Sequence, residues 1–168
     1  CNKDKAAASP SDGELRSLRS HELDLSSLKL ESFDMNADKK DDQFKYYDIE
    51  GNLLVIARDI NFDSQIDVYE FYENSILIRE ESDLDFDGKL DLVVHYKDGK
   101  LETKEYSIDF HGNRHGRQTY DKDGNLILSE RDTNGDGVYD LWEHFLPGAS
   151  EPHLVKKDSD GDGVPDSD

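Results

Sequence analysis

The chain has 168 residues, a formal net charge of −20 at pH 7 and only 34% hydrophobic residues. Such acidity argues against nucleic acid as a partner, because phosphate binding needs basic patches, and no apolar stretch is long enough to span a membrane. A composition this polar is usually typical of disorder, so we expect folding to depend on something besides an apolar core.

The N-terminal third of the chain predicts a tether and a cap. Cys1 is the only cysteine, so no internal disulfide can form. Residues 1–20 are small, polar and charged and predict a flexible tether, whose basic residues are explained equally by anionic head groups nearby and by solvation. The leucines of residues 21–33 predict a capping segment with a short helix and an edge strand. Residues 34–168 are the predicted repeat domain.

A nine-residue acidic loop, D-x-[DN]-x-D-x-x-x-D, recurs five times in that domain. Positions 1, 3, 5 and 9 offer side-chain oxygens and position 7 a backbone carbonyl, which is the ligand set that calcium prefers. Asp and Asn also make good turns, but five copies with the same positions filled favour about five calcium ions. The predicted metal ligands are Asp34, Asn36, Asp38 and Asp42; Asp59, Asn61, Asp63 and Asp67; Asp83, Asp85, Asp87 and Asp91; Asp132, Asn134, Asp136 and Asp140; and Asp158, Asp160, Asp162 and Asp166.

The five copies differ at positions 6 and 12. Position 12 is a glutamate only in the second and fourth of these loops, where Glu70 and Glu143 are predicted as bidentate ligands that give the tightest sites. Position 6 calls for glycine, and Lys39 there is strained at positive φ. The loop at Asp34 is therefore predicted to bind most weakly.

A worn copy of the loop lies between the third and fourth. It has Ser107, Asp109, His111, Gly112 and His115 at positions 1, 3, 5, 6 and 9. Neutral imidazole is a poor ligand for calcium and a good one for zinc or copper. The sequence favours a metal-free turn here and leaves a transition-metal site as the alternative.

The segments between the loops predict β-strands. Stretches such as 66–72, 90–96 and 139–145 are rich in Val, Ile, Tyr and Phe and lack helical periodicity. Each ends in an aromatic, and a turn signal and a leucine follow. The aromatics are Tyr47, Tyr72, Tyr96, Tyr120 and Phe145, and the leucines are Leu53, Leu77, Leu101, Leu126 and Leu154.

The predicted fold is all-β, an antiparallel repeat array of about ten strands built from hairpin units of about 25 residues. Stacked units would place the aromatics and leucines in columns. The calcium loops would line one rim and the hairpin turns the other. The sequence leaves open whether the sheet stays open and twisted, coils as a solenoid or closes into a barrel.

These features resemble two known groups of proteins. Cysteine at residue 1 is similar to mature bacterial lipoproteins, which implies a lipidated Cys1, and Asn2 resembles lipoproteins sorted to the outer membrane. The tandem loops resemble Gram-negative lipoproteins with D-x-[DN]-x-D-G-x-x-D repeats, and residues 158–166 look like a thrombospondin type 3 repeat. The resemblance implies calcium binding and a role in the cell envelope.

Two classes of function follow. The first is a lipid-anchored, calcium-stabilised structural or adhesive module that holds a protein partner or assembly of the envelope. The second is a glycan-binding protein that uses exposed Tyr69, Tyr106 or Trp142. An enzyme is not expected, because the loops account for nearly every acidic cluster and no nucleophile or phosphate-binding motif occurs.

Overall fold

A computed structural model describes residues 27–107 and 115–166. All eleven elements of regular structure in these ranges are strands, so the all-β prediction is confirmed. Ten lie within the predicted repeat domain, and β1 lies in the predicted capping segment. The strands are β1 Lys29–Phe33, β2 Gln43–Tyr47, β3 Leu53–Arg58, β4 Val68–Glu73, β5 Ile76–Ser82, β6 Leu92–Lys97, β7 Lys100–Ser107, β8 His115–Tyr120, β9 Leu126–Arg131, β10 Leu141–His144 and β11 Leu154–Lys157.

The strands form one open antiparallel sheet in chain order, from β1 at one edge to β11 at the other. Each strand packs mainly on the strands before and after it in the sequence. The structure therefore selects the open array over the closed barrel. An array in which each unit contacts only its neighbours is the quasi-one-dimensional architecture of repeat proteins.

Antiparallel alternation sorts the connections onto two opposite rims. Connections that follow odd-numbered strands share one rim, and all five acidic loops follow odd-numbered strands. We call this edge of the sheet the loop rim. The hairpin turns follow even-numbered strands and lie on the opposite edge, which we call the turn rim. The predicted separation of loops and turns is confirmed.

Two kinds of hairpin turn occur on the turn rim. At Asp48 and Asp121 the side chain accepts hydrogen bonds from backbone N–H groups two and four residues ahead, at 2.8–2.9 Å. The other two turns have two central residues with positive φ, Asn74–Ser75 and Asp98–Gly99. Positive φ at both positions defines the type I′ turn, which matches the twist of the paired strands.

The aromatic and leucine columns are present as cross-strand pairs. Tyr47 pairs with Leu53, and the same pairing joins Tyr72 to Leu77, Tyr96 to Leu101 and Tyr120 to Leu126. The last hairpin departs from the pattern, because Leu154 pairs with His144 rather than Phe145. A register shift precedes each of the four paired tyrosines. Such bulges bend a strand and increase its twist.

The apolar core is small and lies in the middle of the array. The buried apolar side chains are Val55, Ile56, Ala57, Phe71, Leu90, Val93 and Val94. They lie on or directly before strands β3, β4 and β6 and occupy both faces of the sheet, since Val55 pairs with Phe71 and Ile56 with Glu70. Within the described ranges, no helix has the length and hydropathy of a membrane span.

Candidate metal-binding loops

The five acidic loops share one hydrogen-bond network, which begins at position 1. In the loop at Asp59, one carboxylate oxygen accepts the N–H of Phe62 at 2.6 Å and the other accepts that of Ser64 at 2.7 Å. The same two bonds, from positions 4 and 6, recur in the loops at Asp34, Asp83, Asp132 and Asp158. The first aspartate therefore closes the loop around its own carboxylate.

Positions 3, 5 and 9 are fixed in the same way. Position 3 accepts the N–H of position 5, as in Asp63 to Asn61 at 2.9 Å, and position 5 accepts that of position 7. Position 9 accepts the N–H of position 2, and its own N–H returns to the carbonyl before the loop, as in Asp67 to Arg58 at 2.9 Å. All five loops repeat these bonds.

The network requires two residues with positive φ in each loop. Position 6 has φ between 76° and 89° whether it is lysine, serine or glycine, as the sequence predicts. Position 4 also has positive φ in every loop, at Ala37, Phe62, Phe86, Gly135 and Gly161. The sequence analysis missed position 4, because only two of the five copies have glycine there.

Three carboxylates converge in each of two loops. One oxygen from each of Asp83, Asp85 and Asp91 lies within 4.8 Å of the other two, and Asp158, Asp160 and Asp166 form the same group. Position 3 is aspartate in these two loops and asparagine in the other three. Burial and the nearby charges of Asp85 and Asp83 raise the pKa of Asp91. A divalent cation would relieve that repulsion.

The aspartates at the bases of the loops are buried. Asp59, Asp67, Asp83, Asp91 and Asp132 are each at most 4% exposed. They accept backbone N–H groups, and in the part of the chain that the structure describes no ion pair reaches them. Buried carboxylates are costly without a compensating charge. Each retains lone pairs for a further ligand, so the residues fit a bound calcium ion.

The structure places the two position-12 glutamates with arginines rather than with their loops. Glu70 forms a two-pronged ion pair with Arg58, at 2.6 and 3.2 Å, and Glu143 pairs with Arg131 at 2.8 Å. Each arginine directly precedes its loop, a partner that the sequence analysis missed. The arginine and Tyr72 lower the pKa of Glu70, although desolvation, the largest influence on it, opposes them.

Only the ends of the worn copy lie within the described residues. Ser107 and His115 pair across β7 and β8, and both are buried. Neither ring nitrogen of His115 has a hydrogen-bond partner. Asp109, His111 and Gly112 lie outside the described residues, so the choice between a metal-free turn and a transition-metal site stays a prediction.

The chain has few recognisable relatives. No protein-family model matches it, and no curated protein matches it. One matching solved structure contains accessory secretory proteins 1, 2 and 3 of Streptococcus pneumoniae, with 15% identity, a TM-score of 0.40 and coverage of 77% of this chain and 21% of that one.

Two other matches are structures of S. aureus TarM. One is a mutant in complex with fondaparinux, alpha-GlcNAc-glycerol and UDP, with 17% identity, a TM-score of 0.29 and coverage of 72% of this chain and 20% of that one. The other has 18% identity, a TM-score of 0.28 and coverage of 71% and 20%. The chain thus spans about a fifth of the solved chains that it matches. At these TM-scores the likeness carries no argument about function.

Proposed function

We propose that this protein is a calcium-stabilised β-hairpin repeat module with a structural or adhesive role in the bacterial envelope. The observation that carries the proposal is the hydrogen-bond network that all five acidic loops share. It directs the position 1, 3, 5 and 9 oxygens of each loop toward one another on a single rim. About five calcium ions, one in each loop, would fill these sites with oxygen ligands.

The number of ions is tested by isothermal titration calorimetry together with native mass spectrometry. We expect about five calcium ions in the wild-type protein and one fewer in Asp132→Asn. Asp121→Asn is the matched control, because Asp121 accepts comparable backbone hydrogen bonds on the turn rim, away from any acidic loop. Absence of calcium binding at millimolar concentration, or an equal loss in the two variants, would contradict the proposal.

The place of action is a further part of this proposal. The resemblance of residues 1 and 2 to mature lipoproteins supports a lipid-anchored Cys1 and the outer membrane as the location. The role is in binding rather than catalysis, since the loops account for most acidic residues. A pull-down from solubilised envelope, with and without a chelator, tests for a protein partner that requires the calcium-loaded rim.

One observation favours glycan binding as a second candidate function. A cleft of about 210 Å³ lies between the second and third loops. Tyr69 and Phe86 line it beside the carboxylates of Asp63, Asp67 and Asp83. Aromatic faces next to hydrogen-bonding oxygens can recognise sugar rings. A glycan array at millimolar calcium tests this candidate, and Tyr69→Ala should abolish any signal that arises from the cleft.

A further inference from the structure

A row of exposed apolar side chains follows the loop rim across the first three acidic loops. Position 2 holds Met35, Ile60 and Leu84, which are 57, 44 and 47% exposed. Position 4 holds Phe62 and Phe86, which are 43 and 42% exposed. We call these five side chains the apolar row. Exposed apolar side chains grouped at repeated positions indicate an interaction site.

The apolar row is confined to three adjacent loops. In the loops at Asp132 and Asp158, position 2 is Thr133 or Ser159 and position 4 is glycine. Successive loops follow alternate strands, so their tips are about 10 Å apart along the rim. A hydrogen bond of 3.3 Å from Lys40 Nζ to Ser64 Oγ joins the first loop to the second. The row therefore runs about 20 Å along one end of the rim.

The two phenylalanines occupy positions where the fold itself favours glycine. Phe62 and Phe86 both have φ of 66°. A bulky residue at positive φ is strained, and glycine takes the same place in the last two loops. Partial burial of the rings does not account for the strain, because much of each ring remains in solvent. Strain that persists at such positions points to function.

The charge around the apolar row depends on calcium. Residues 34–42, 59–67 and 83–91 carry eleven aspartates and three lysines, a formal charge of −8. One calcium ion in each loop would reduce this to −2. The aspartate carboxylates face the loop backbone, whereas Lys39, Lys40 and Lys89 are exposed. A loaded rim would therefore present cations to an approaching phosphate while its apolar tips lose their surrounding negative charge.

We propose that the apolar row docks the calcium-loaded protein onto a phospholipid surface with anionic head groups. The inference rests on the proposed function, since calcium must fill the first three loops. Charge complementarity favours a membrane, because lysines and metal ions lie beside the apolar tips. Shape also favours it, because separated tips in a line can enter a fluid interface without a matching groove. Apolar side chains of this size enter the boundary between head groups and acyl chains.

Sedimentation with vesicles tests the proposal. The full chain with Cys1→Ser carries no acyl group at that residue, and it is mixed with phosphatidylcholine vesicles containing phosphatidylglycerol, in calcium or in chelator. We expect calcium-dependent sedimentation. The double variant Phe62→Gly, Phe86→Gly should lose at least about tenfold in vesicle affinity, because it removes two large apolar side chains. Glycine suits both backbone positions, so the variant should fold and keep its calcium stoichiometry.

The control is Ile49→Ser, because Ile49 is 99% exposed on the turn rim. Sedimentation equal to that of the parent protein supports docking by the loop rim, and an equal loss in both variants overturns it. Full calcium binding without sedimentation overturns the membrane proposal and leaves the proposed function intact. Absence of calcium binding defeats both. Loss of a captured protein in the double variant, without vesicle binding, would replace the membrane with a protein partner.

Discussion

At the scale of single residues, each loop has one backbone requirement that different side chains meet at different cost. Position 6 has positive φ throughout, but it is Lys39 in the first loop, Ser64 in the second and glycine in the other three. Glycine adopts this conformation without the clash that a Cβ atom introduces. The loops therefore share one geometry and differ in the strain that they carry.

Replacing Ser64 by glycine should stabilise the protein. Relief of the left-handed conformation should exceed the entropy that glycine adds to the unfolded chain, a net gain of about 0.5–1 kcal/mol. The measurement is urea denaturation at saturating calcium. Gly137→Ser makes the reverse change in another loop and should destabilise by a similar amount. A loss of stability in Ser64→Gly would mean that the serine side chain contributes more than its backbone costs.

The position-9 and position-12 carboxylates should differ sharply in their effect on calcium. Because Arg131 holds Glu143, Glu143→Gln should leave the number of bound ions unchanged. The partly exposed pair should cost about 0–1 kcal/mol when broken. Asp140→Asn should remove one ion, because position 9 faces the loop backbone. Calorimetric titration distinguishes them, and a lost site in Glu143→Gln would restore the sequence-based prediction of a position-12 ligand.

At the scale of elements, the unit of the array is a hairpin whose strands are joined by polar as well as apolar pairs. Glu70 of β4 lies directly opposite Glu80 of β5. Like charges in that position destabilise a strand pair. Desolvation, with the charge of Glu70 as the second cause, raises the pKa of Glu80. Arg58 and Lys104 oppose the shift, so part of the repulsion remains at neutral pH.

Glu80→Gln should therefore stabilise the protein at neutral pH. A carboxyl whose pKa is raised on folding adds stability below its unfolded pKa, about 4.3, and loses that contribution as pH rises through the folded value. The advantage of the variant should shrink as pH falls toward the unfolded pKa. The measurement is the difference in unfolding free energy between variant and wild type across this range. Glu50→Gln, on the exposed turn rim, is the control, and an equal gain there would indicate net charge instead.

At the scale of the whole molecule, a thin core and a repeated metal loop have complementary roles. The buried apolar residues lie on or next to β3, β4 and β6, whereas β11 is exposed along its length. A loop filled to about 100 times its dissociation constant contributes roughly 2.7 kcal/mol. Five such loops contribute on the order of 13 kcal/mol, comparable to the stability of a typical domain.

Removing calcium should therefore unfold the array from its ends. We expect a chelator to abolish most of the β signal in circular dichroism. As calcium falls, hydrogen exchange should show β1 and β11 losing protection first and β3 to β6 last, because few buried contacts hold the terminal strands. An unchanged spectrum and melting temperature in chelator would contradict a folding role for calcium. Simultaneous loss of protection in all strands would contradict the graded order.

The sequence by itself determined the repeat, its period and the two rims. Loop positions 1, 3, 5, 6 and 9 are visible because metal ligands and tight turns need particular side chains there, and the aromatic–leucine columns follow from a constant spacing. Strand type was also readable, since β-branched and aromatic residues such as Val68 and Tyr72 suit a pleated sheet. These properties are local, so one unit of about 25 residues contains the information for them.

Only the tertiary structure decided properties that depend on distant partners. The sheet stays open because closure depends on whether β1 meets β11, and local spacing does not report the accumulated twist. Glu70 and Glu143 pair with arginines twelve residues earlier because strand register places them side by side. The apolar row emerged only when three loops were aligned on one rim. Side chains 24 or 25 residues apart become neighbours through sheet pairing, and the chain records that pairing only once it is folded.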